Sequence, residues 1–269
     1  MANIHPTAVV EQDVQLAEDV VIGPYCVVGR GVSIGAGTIL EARVVLTGQT
    51  TVGRQNHFYP NAVIGCCPQI LGLSSDSTLG GLVIGDRNVI RENVTVHTSR
   101  HQGTTTQIGN DNLLMVGSHI GHDCILEDKV VLSNNVQIGG HVKIEMGAWF
   151  SGLAASHQFV TIGRWSYVAG LAGLNRDVPP FLIVSGHYPP RIRGVNKRGM
   201  ARAGLSTEQQ QHINEAYRKL YRRGTSLLTN AQELAQRDGL DENVQAILES
   251  IVRSNKHRFG RYRESLRGG

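Results

Sequence analysis

Four of the eleven histidines fall close together in this chain: His119, His122, His141 and His157. His122, Gly140 and Gln158 are spaced by 18 and 18 residues; His141 follows Gly140, His157 precedes Gln158, and His119 lies three residues before His122. In a chain wound with 18 residues per turn, that spacing stacks the three positions in one column about 10 Å tall. A lone histidine at a polar corner is ordinarily a hydrogen-bonded surface residue, but four gathered on one edge point to chemistry. Two uses compete. A neutral imidazole, with an ordinary pKa of about 6.5, takes a proton from an attacking hydroxyl, while Asp123 beside His122 holds the ring in the right tautomer. Alternatively, three histidines hold a zinc ion.

The winding that would build such a column is written in the apolar residues. Every sixth position from Ile4 through Val10, Leu16, Ile22, Val28, Ile34, Leu40, Leu46, Val52 and Phe58 to Ile64 is apolar. The count resumes in a shifted phase at Ile84 and runs to Leu174, broken only at Gln102 and Ser156. Neither a helix nor a single strand has a period of six; hexapeptide repeats do, and they wind short parallel strands into a β-helix. Roughly nine or ten coils are expected, stacked to about 45 Å. Glycine often follows the apolar residue, as in Ile22-Gly23 and Ile34-Gly35, and is expected at crowded corners that need a positive φ. Two interruptions read as extruded loops: residues 66–82, which shift the phase by two, and residues 98–107, which keep it. Loops on a rigid scaffold are natural carriers of a binding site.

The pattern changes near Asp177. Val178-Pro179-Pro180-Phe181 stops the hexads and Tyr188-Pro189-Pro190-Arg191 makes a second rigid turn, so residues 1–190 form the β-helix domain and 191–269 a helical one. Ser206-Thr207-Glu208-Gln209 reads as a capping box opening a helix to about Arg223, and further helices fit 229–238 and 241–257. Charge divides at the same place: residues 191–269 hold 16 Lys and Arg against 8 Asp and Glu, residues 1–190 hold 10 against 14. The basic tail either solubilises its helices or docks an acidic partner, such as an acyl carrier protein or a nucleotide phosphate. Nucleic acid is disfavoured, since no aromatic residues interleave with the basic ones. No apolar run is long enough for a membrane span, and no basic-then-apolar leader opens the chain, so the cytoplasm is the expected location. Cys26, Cys66, Cys67 and Cys124 show neither disulfide nor zinc spacing and are expected as reduced thiols.

Taken together, Asn112-Leu113-Leu114-Met115, His119-Ile120-Gly121-His122-Asp123-Cys124, Gly140-His141-Val142, His157-Gln158-Phe159 and Asp177-Val178-Pro179-Pro180 resemble the acyl-[acyl-carrier-protein]–UDP-N-acetylglucosamine O-acyltransferases. The likeness spans essentially the whole chain, including Ile84-Gly85-Asp86-Arg87-Asn88 and Asn93-Val94-Thr95-Val96-His97. It implies an all-β left-handed parallel β-helix with a C-terminal α-helical domain. It also implies a homotrimer with active sites in the clefts between subunits, and the first step of lipid A biosynthesis. The donor implied is the thioester of an acyl carrier protein and the acceptor is a UDP-sugar, with no metal and no further cofactor. By the same resemblance His122 is the base for the sugar 3-hydroxyl, Asp123 its orienting partner, and Gly140 the amide that meets the oxyanion. Gln69, His97, His119, His141, His157 and Gln158 would line the substrates, Gly170 the far end of the acyl groove, and Asn196, Arg198 and Arg202 the nucleotide.

The chain also departs from that pattern. The family usually has Asp, then Lys two residues on, to contact the amino sugar; here stand Ile70 and Gly72, after a retained Gln69. Arg198 replaces an acidic residue that reads uracil, and Ala203 replaces the second of two paired arginines. Each lost partner for a polar substrate costs about 1–3 kcal/mol. These departures leave a related acceptor open: another amino-sugar nucleotide or a non-nucleotide. Trp165 and Tyr167 are bulky near the expected acyl groove and predict a shortened pocket. A zinc hydratase resembling the hexapeptide carbonic anhydrases fits less well, because their His-x-x-x-x-His run is absent around His119 and His122. A scaffold without catalysis is the remaining alternative.

Overall fold

Most strands of the solenoid are two residues long, and the second residue of nearly every pair is buried, as in Val45–Leu46, Leu113–Leu114 and Val131–Leu132. The structure, a computed structural model, describes residues 1–73, 79–222 and 224–266. The strands stack into three sheets of 11, 9 and 8 strands, the walls of a left-handed parallel β-helix. Registers of 18 residues, such as Leu114↔Leu132, Leu132↔Phe150 and Phe150↔Val168, stack like side chains into continuous buried columns. Aliphatic stacking of this kind removes about 25 cal/mol per Å² of apolar surface from water. It makes each coil depend only on its neighbours.

The two loops appear as longer registers. Ile64 pairs with Val96 and Val96 with Ile120, separations of 32 and 24 residues. Both are shorter than their sequence bounds, because strand Val63–Cys66 extends into one end and Gly81–Ile84 and Thr105–Ile108 pair across the other. Residues 74–78 of the first loop lie outside the described residues. Of the two reasons expected for glycines such as Gly23 and Gly35 after the buried hexad residues, crowding holds and positive φ does not. Gly23 and Gly35 have no positive φ, but a Cβ at Gly35 would stand 2.6 Å from the carbonyl oxygen of Gly53 in the next coil. The positive φ falls two residues later, on Gly37 after Gly35 and on Tyr25 after Gly23, and elsewhere on residues such as Asp123 and Phe159.

The last wall does not stop at residue 190. Leu182–Ser185 pairs with Arg191–Val195 in the only antiparallel ladder among the described residues, and the helices follow. Helix α1 spans Lys197–Arg202, α2 Thr207–Tyr221, α3 Leu227–Ala235 and α4 Glu242–Ser254. The expected capping box is present at Ser206 and Gln209, whereas the expected end at Arg223 lies outside the described residues. Helix α3 begins earlier than expected because Ser226 caps it, and α4 ends earlier, at Asn255. Helix α1 carried no apolar stripe and was not foreseen. Trp165, half-buried, packs against the core of Phe181, Met200, Ile213 and Leu220 that joins the helices to the prism. All four cysteines are free. Among the described residues no helix is long and apolar enough to cross a membrane.

Candidate active site

His122 begins the turn after strand His119–Ile120, and Gly140 begins the matching turn one coil on, after Gln137–Ile138. The amide of His141 donates to the His122 carbonyl (2.9 Å) and the amide of Phe159 to the Gly140 carbonyl (3.1 Å), so the three turns stack as their spacing requires. A Cβ on Gly140 would fall 2.7 Å from His122 Nε2, and one on Gly121 would fall 2.8 Å from the Gly140 nitrogen. Both glycines therefore keep open the space between the imidazole and the Gly140 amide. That amide donates to no acceptor among the described residues.

His122 is 9% exposed, and its Nδ1 lies 2.6 Å from Asp123 Oδ2. Burial alone would raise the Asp123 pKa. Hydrogen bonds from His122, from the Ser99 hydroxyl and from the Arg100 amide outweigh it and hold the carboxyl at about 2. A carboxylate only accepts, so His122 Nδ1 carries the proton and Nε2 presents a lone pair. The Asp123 amide in turn donates to Thr106 Oγ1 at 2.8 Å. Ser99 did not stand out in the sequence, since the residue register from Thr95 to His119 is 24 rather than 18. Ser99→Ala leaves the carboxylate with fewer donors. It is expected to lower turnover roughly tenfold in steady-state kinetics, the usual scale for a lost orienting contact.

The remaining histidines surround this pair. His141 meets the His122 ring edge-on at 5.0 Å and stacks on Phe159 at 4.4 Å. His119 Nδ1 is 2.9 Å from Thr95 Oγ1, and its ring lies 5.1 Å from that of His97. His97 Nδ1 donates to the Cys67 carbonyl (2.7 Å), which ties the first loop to the site. Burial, helped by neighbouring imidazoles, lowers the pKa of both His119 and His141 to about 4, with Asp123 partly opposing this at His141. The unfolded chain therefore binds more protons than the folded one between about pH 6.5 and 4. Stability from these two groups declines as pH falls through that window. Asp177, raised to about 6 mainly by burial, works in the opposite sense above pH 3.8. Replacing both histidines by Gln is expected to flatten the acid side of a melting-temperature profile; an unchanged slope would contradict this.

His157 and Gln158 are exposed one coil further along, and Gln69 is exposed in the first loop. Other expected residues lie elsewhere on the chain. Gly170 stacks over Gly152, whose own column contains Asn134, so it occupies a different edge of the prism. Asn196 caps α1: its side chain accepts from the Gly199 amide and donates to the Trp165 carbonyl. Arg198 and Arg202 are exposed one turn apart on α1, with Arg202 over the Trp149 ring at 4.4 Å. A metal site has one candidate among the described residues, His122, Asp123 and His141, whose ligand atoms lie within 4.8 Å of one another. The hydrogen-bonded Nδ1 of His122 and Oδ2 of Asp123 do not fit one zinc ion together as they stand. Two ligands about 2.0 Å from one tetrahedral ion sit about 3.3 Å apart, wider than the 2.6 Å between His122 and Asp123.

Parallel hexad coils with an imidazole–carboxylate pair on one corner define a hexapeptide-repeat transferase. Residues 105–140 match the family model described as bacterial transferase hexapeptide (six repeats), and residues 177–260 match UDP N-acetylglucosamine O-acyltransferase, domain 2. The acyl-[acyl-carrier-protein]–UDP-N-acetylglucosamine O-acyltransferase of an Anaeromyxobacter species is 43% identical over 90% of this chain and 93% of its own. That of a Synechocystis species is 41% identical over 87% and 84%. Two solved UDP-N-acetylglucosamine acyltransferases superpose closely. The Francisella novicida structure has a TM-score of 0.87 at 32% identity (93% of this chain, 91% of that one), and the Moraxella catarrhalis structure 0.85 at 38% (91% and 95%). The chain belongs to the acyl-[acyl-carrier-protein]–UDP-N-acetylglucosamine O-acyltransferase family.

Proposed function

We propose that this protein moves a fatty acyl group from an acyl-carrier-protein thioester to the 3-hydroxyl of UDP-N-acetylglucosamine, the first step of lipid A biosynthesis. The observation that carries the chemistry is the His122–Asp123 pair at 2.6 Å with Nε2 facing the unpaired Gly140 amide. His122 Nε2 takes the proton of the sugar hydroxyl as its oxygen attacks the thioester carbon. The Gly140 N–H stabilises the oxyanion that forms. Collapse breaks the carbon–sulfur bond, and the imidazolium returns its proton to the departing thiolate. Transfer is direct, so neither a nucleophilic side chain nor a cofactor takes part. His119, His141, His157 and Gln158 bind around the reacting groups, and Gln69 and His97 bring the first loop to the acceptor. Arg198 and Arg202 address the nucleotide from the helix that Asn196 caps. The two-part division favours a β-helix domain for chemistry and a basic helical domain for the carrier protein.

A homotrimer is part of the proposal, supported by the geometry of one chain. Gly170 and His122 lie on different edges of the prism, so one groove can run between them only if a second copy brings its own edge alongside. A chain with no membrane-spanning helix among the described residues, acting on soluble substrates, fits the cytoplasm. Incubation with carrier-protein thioesters of graded length and a panel of UDP-sugars, read by mass spectrometry, tests the assignment. UDP-N-acetylglucosamine is expected to be the best acceptor. A second reading, transfer to a different amino-sugar acceptor, is favoured by Ile70, Gly72 and Arg198 at positions where the family usually contacts sugar and uracil. A better acceptor in that panel would establish it.

A further inference from the structure

The C-terminal segment returns to the site. Asp123, His141, Phe159 and Asp177 follow one another at intervals of 18 residues along one edge of the prism. The Asp177 amide donates to the Gly260 carbonyl (2.7 Å), and its carboxylate accepts from the Tyr262 amide (3.1 Å). Arg261 donates to the Asn175 carbonyl (2.9 Å) and is held by Glu264 (2.8 Å). These contacts lay the 3-10 turn Tyr262–Leu266 against the edge that carries Asp123 and His141. Arg263 Nε then donates to the His141 carbonyl at 2.9 Å.

That single bond uses one of five guanidinium donors. Among the described residues no carboxylate pairs with Arg263, and its terminal nitrogens meet no acceptor. The side chain is half-buried, and its burial disfavours the charge. Of the two carboxylates on this edge, Asp123 is already engaged by His122, Ser99 and the Arg100 amide. Asp177, whose field favours the Arg263 charge, is engaged by the Thr161 and Tyr262 amides rather than by the guanidinium. A partly desolvated cation with no carboxylate in direct contact favours an incoming anion, for which a guanidinium is suited in two-point contact with phosphate.

We infer that Arg263, held at the level of His141 by the C-terminal strap, is a phosphate-binding residue of the active site. This rests on the proposed reaction, whose two substrates both carry phosphate. One is the diphosphate of the sugar nucleotide. The other is the phosphodiester that links the thioester arm to the carrier protein.

The test compares full-length wild type, Arg263→Ala and Arg263→Lys. KM is measured for UDP-N-acetylglucosamine, and for acyl-phosphopantetheine against acyl-pantetheine as donors. Arg263→Ala is expected to raise one KM about tenfold or more while kcat changes less than threefold, with Arg263→Lys between the two. A rise for the nucleotide identifies the diphosphate. A lost preference for the phosphorylated donor identifies the phosphodiester. Unchanged KM values, whether or not kcat falls, would overturn the inference and leave Arg263 as a brace on the His141 carbonyl. Should wild type transfer no acyl group at all, the proposed reaction fails, and calorimetric binding of UDP and of phosphopantetheine still decides. Weakening of either by Arg263→Ala supports phosphate binding, and two unchanged affinities overturn it.

Discussion

His122→Ala is expected to lower kcat by roughly a thousandfold while KM for donor and acceptor stays within a few fold. A positioned general base contributes about 10²–10⁴ in rate, and its loss removes an interaction made only in the transition state. The fold is expected to survive. The side chain sits on a corner rather than among the stacked aliphatics, and Asp123 keeps its bonds from Ser99 and the Arg100 amide. Steady-state kinetics with a melting curve checks both parts. A variant retaining more than a tenth of wild-type turnover would remove His122 from the mechanism.

Gly140→Ala is expected to cost about a hundredfold in kcat, although it adds a single methyl group. The new Cβ would stand 2.7 Å from His122 Nε2, closer than such atoms pack. The imidazole has little freedom to give way. Its other nitrogen is tied to Asp123 at 2.6 Å, and the His141 ring meets it edge-on at 5.0 Å. Displacing a catalytic group by about 1 Å costs on the order of 10²-fold. Gly152→Ala supplies the control: on another edge, its Cβ meets only the Asn134 carbonyl, at 3.6 Å. Equal kinetics for the two variants would mean that the space above Gly140 has no special role.

Much of this arrangement is legible in the residues because a solenoid converts spacing into position. Six-residue apolar recurrence gave the coil, and 18-residue intervals placed His122, Gly140 and Gln158 together. What escaped is whatever depends on breaks in that count. Ser99 supports Asp123 from across the short loop, where the register is 24 residues, and the Cys67 carbonyl reaches His97 across a register of 32. Arg263 lies 122 residues from His141, and no periodicity links them. Helix α1 is too short for an apolar stripe and rests instead on the Asn196 cap and the buried Met200. Bulk in a turn says nothing about which surface covers it, and the packing of Trp165 on the helical core was likewise not legible. The glycines show that one residue type answers two demands. At Gly35 it permits coil-to-coil approach and at Gly37, two residues on, it supplies a positive φ, a place that Tyr25 takes after Gly23.

The most direct measurement is the position of the acyl group in the product. Wild-type protein is supplied with an acyl-carrier-protein thioester and UDP-N-acetylglucosamine, and the isolated sugar nucleotide is examined by NMR. A downfield shift of the proton on carbon 3 of the glucosamine ring, with free thiol released in equal amount and neither seen with His122→Ala, is the predicted result. An ester at another hydroxyl, or the same product formed equally well without the imidazole, would contradict the account.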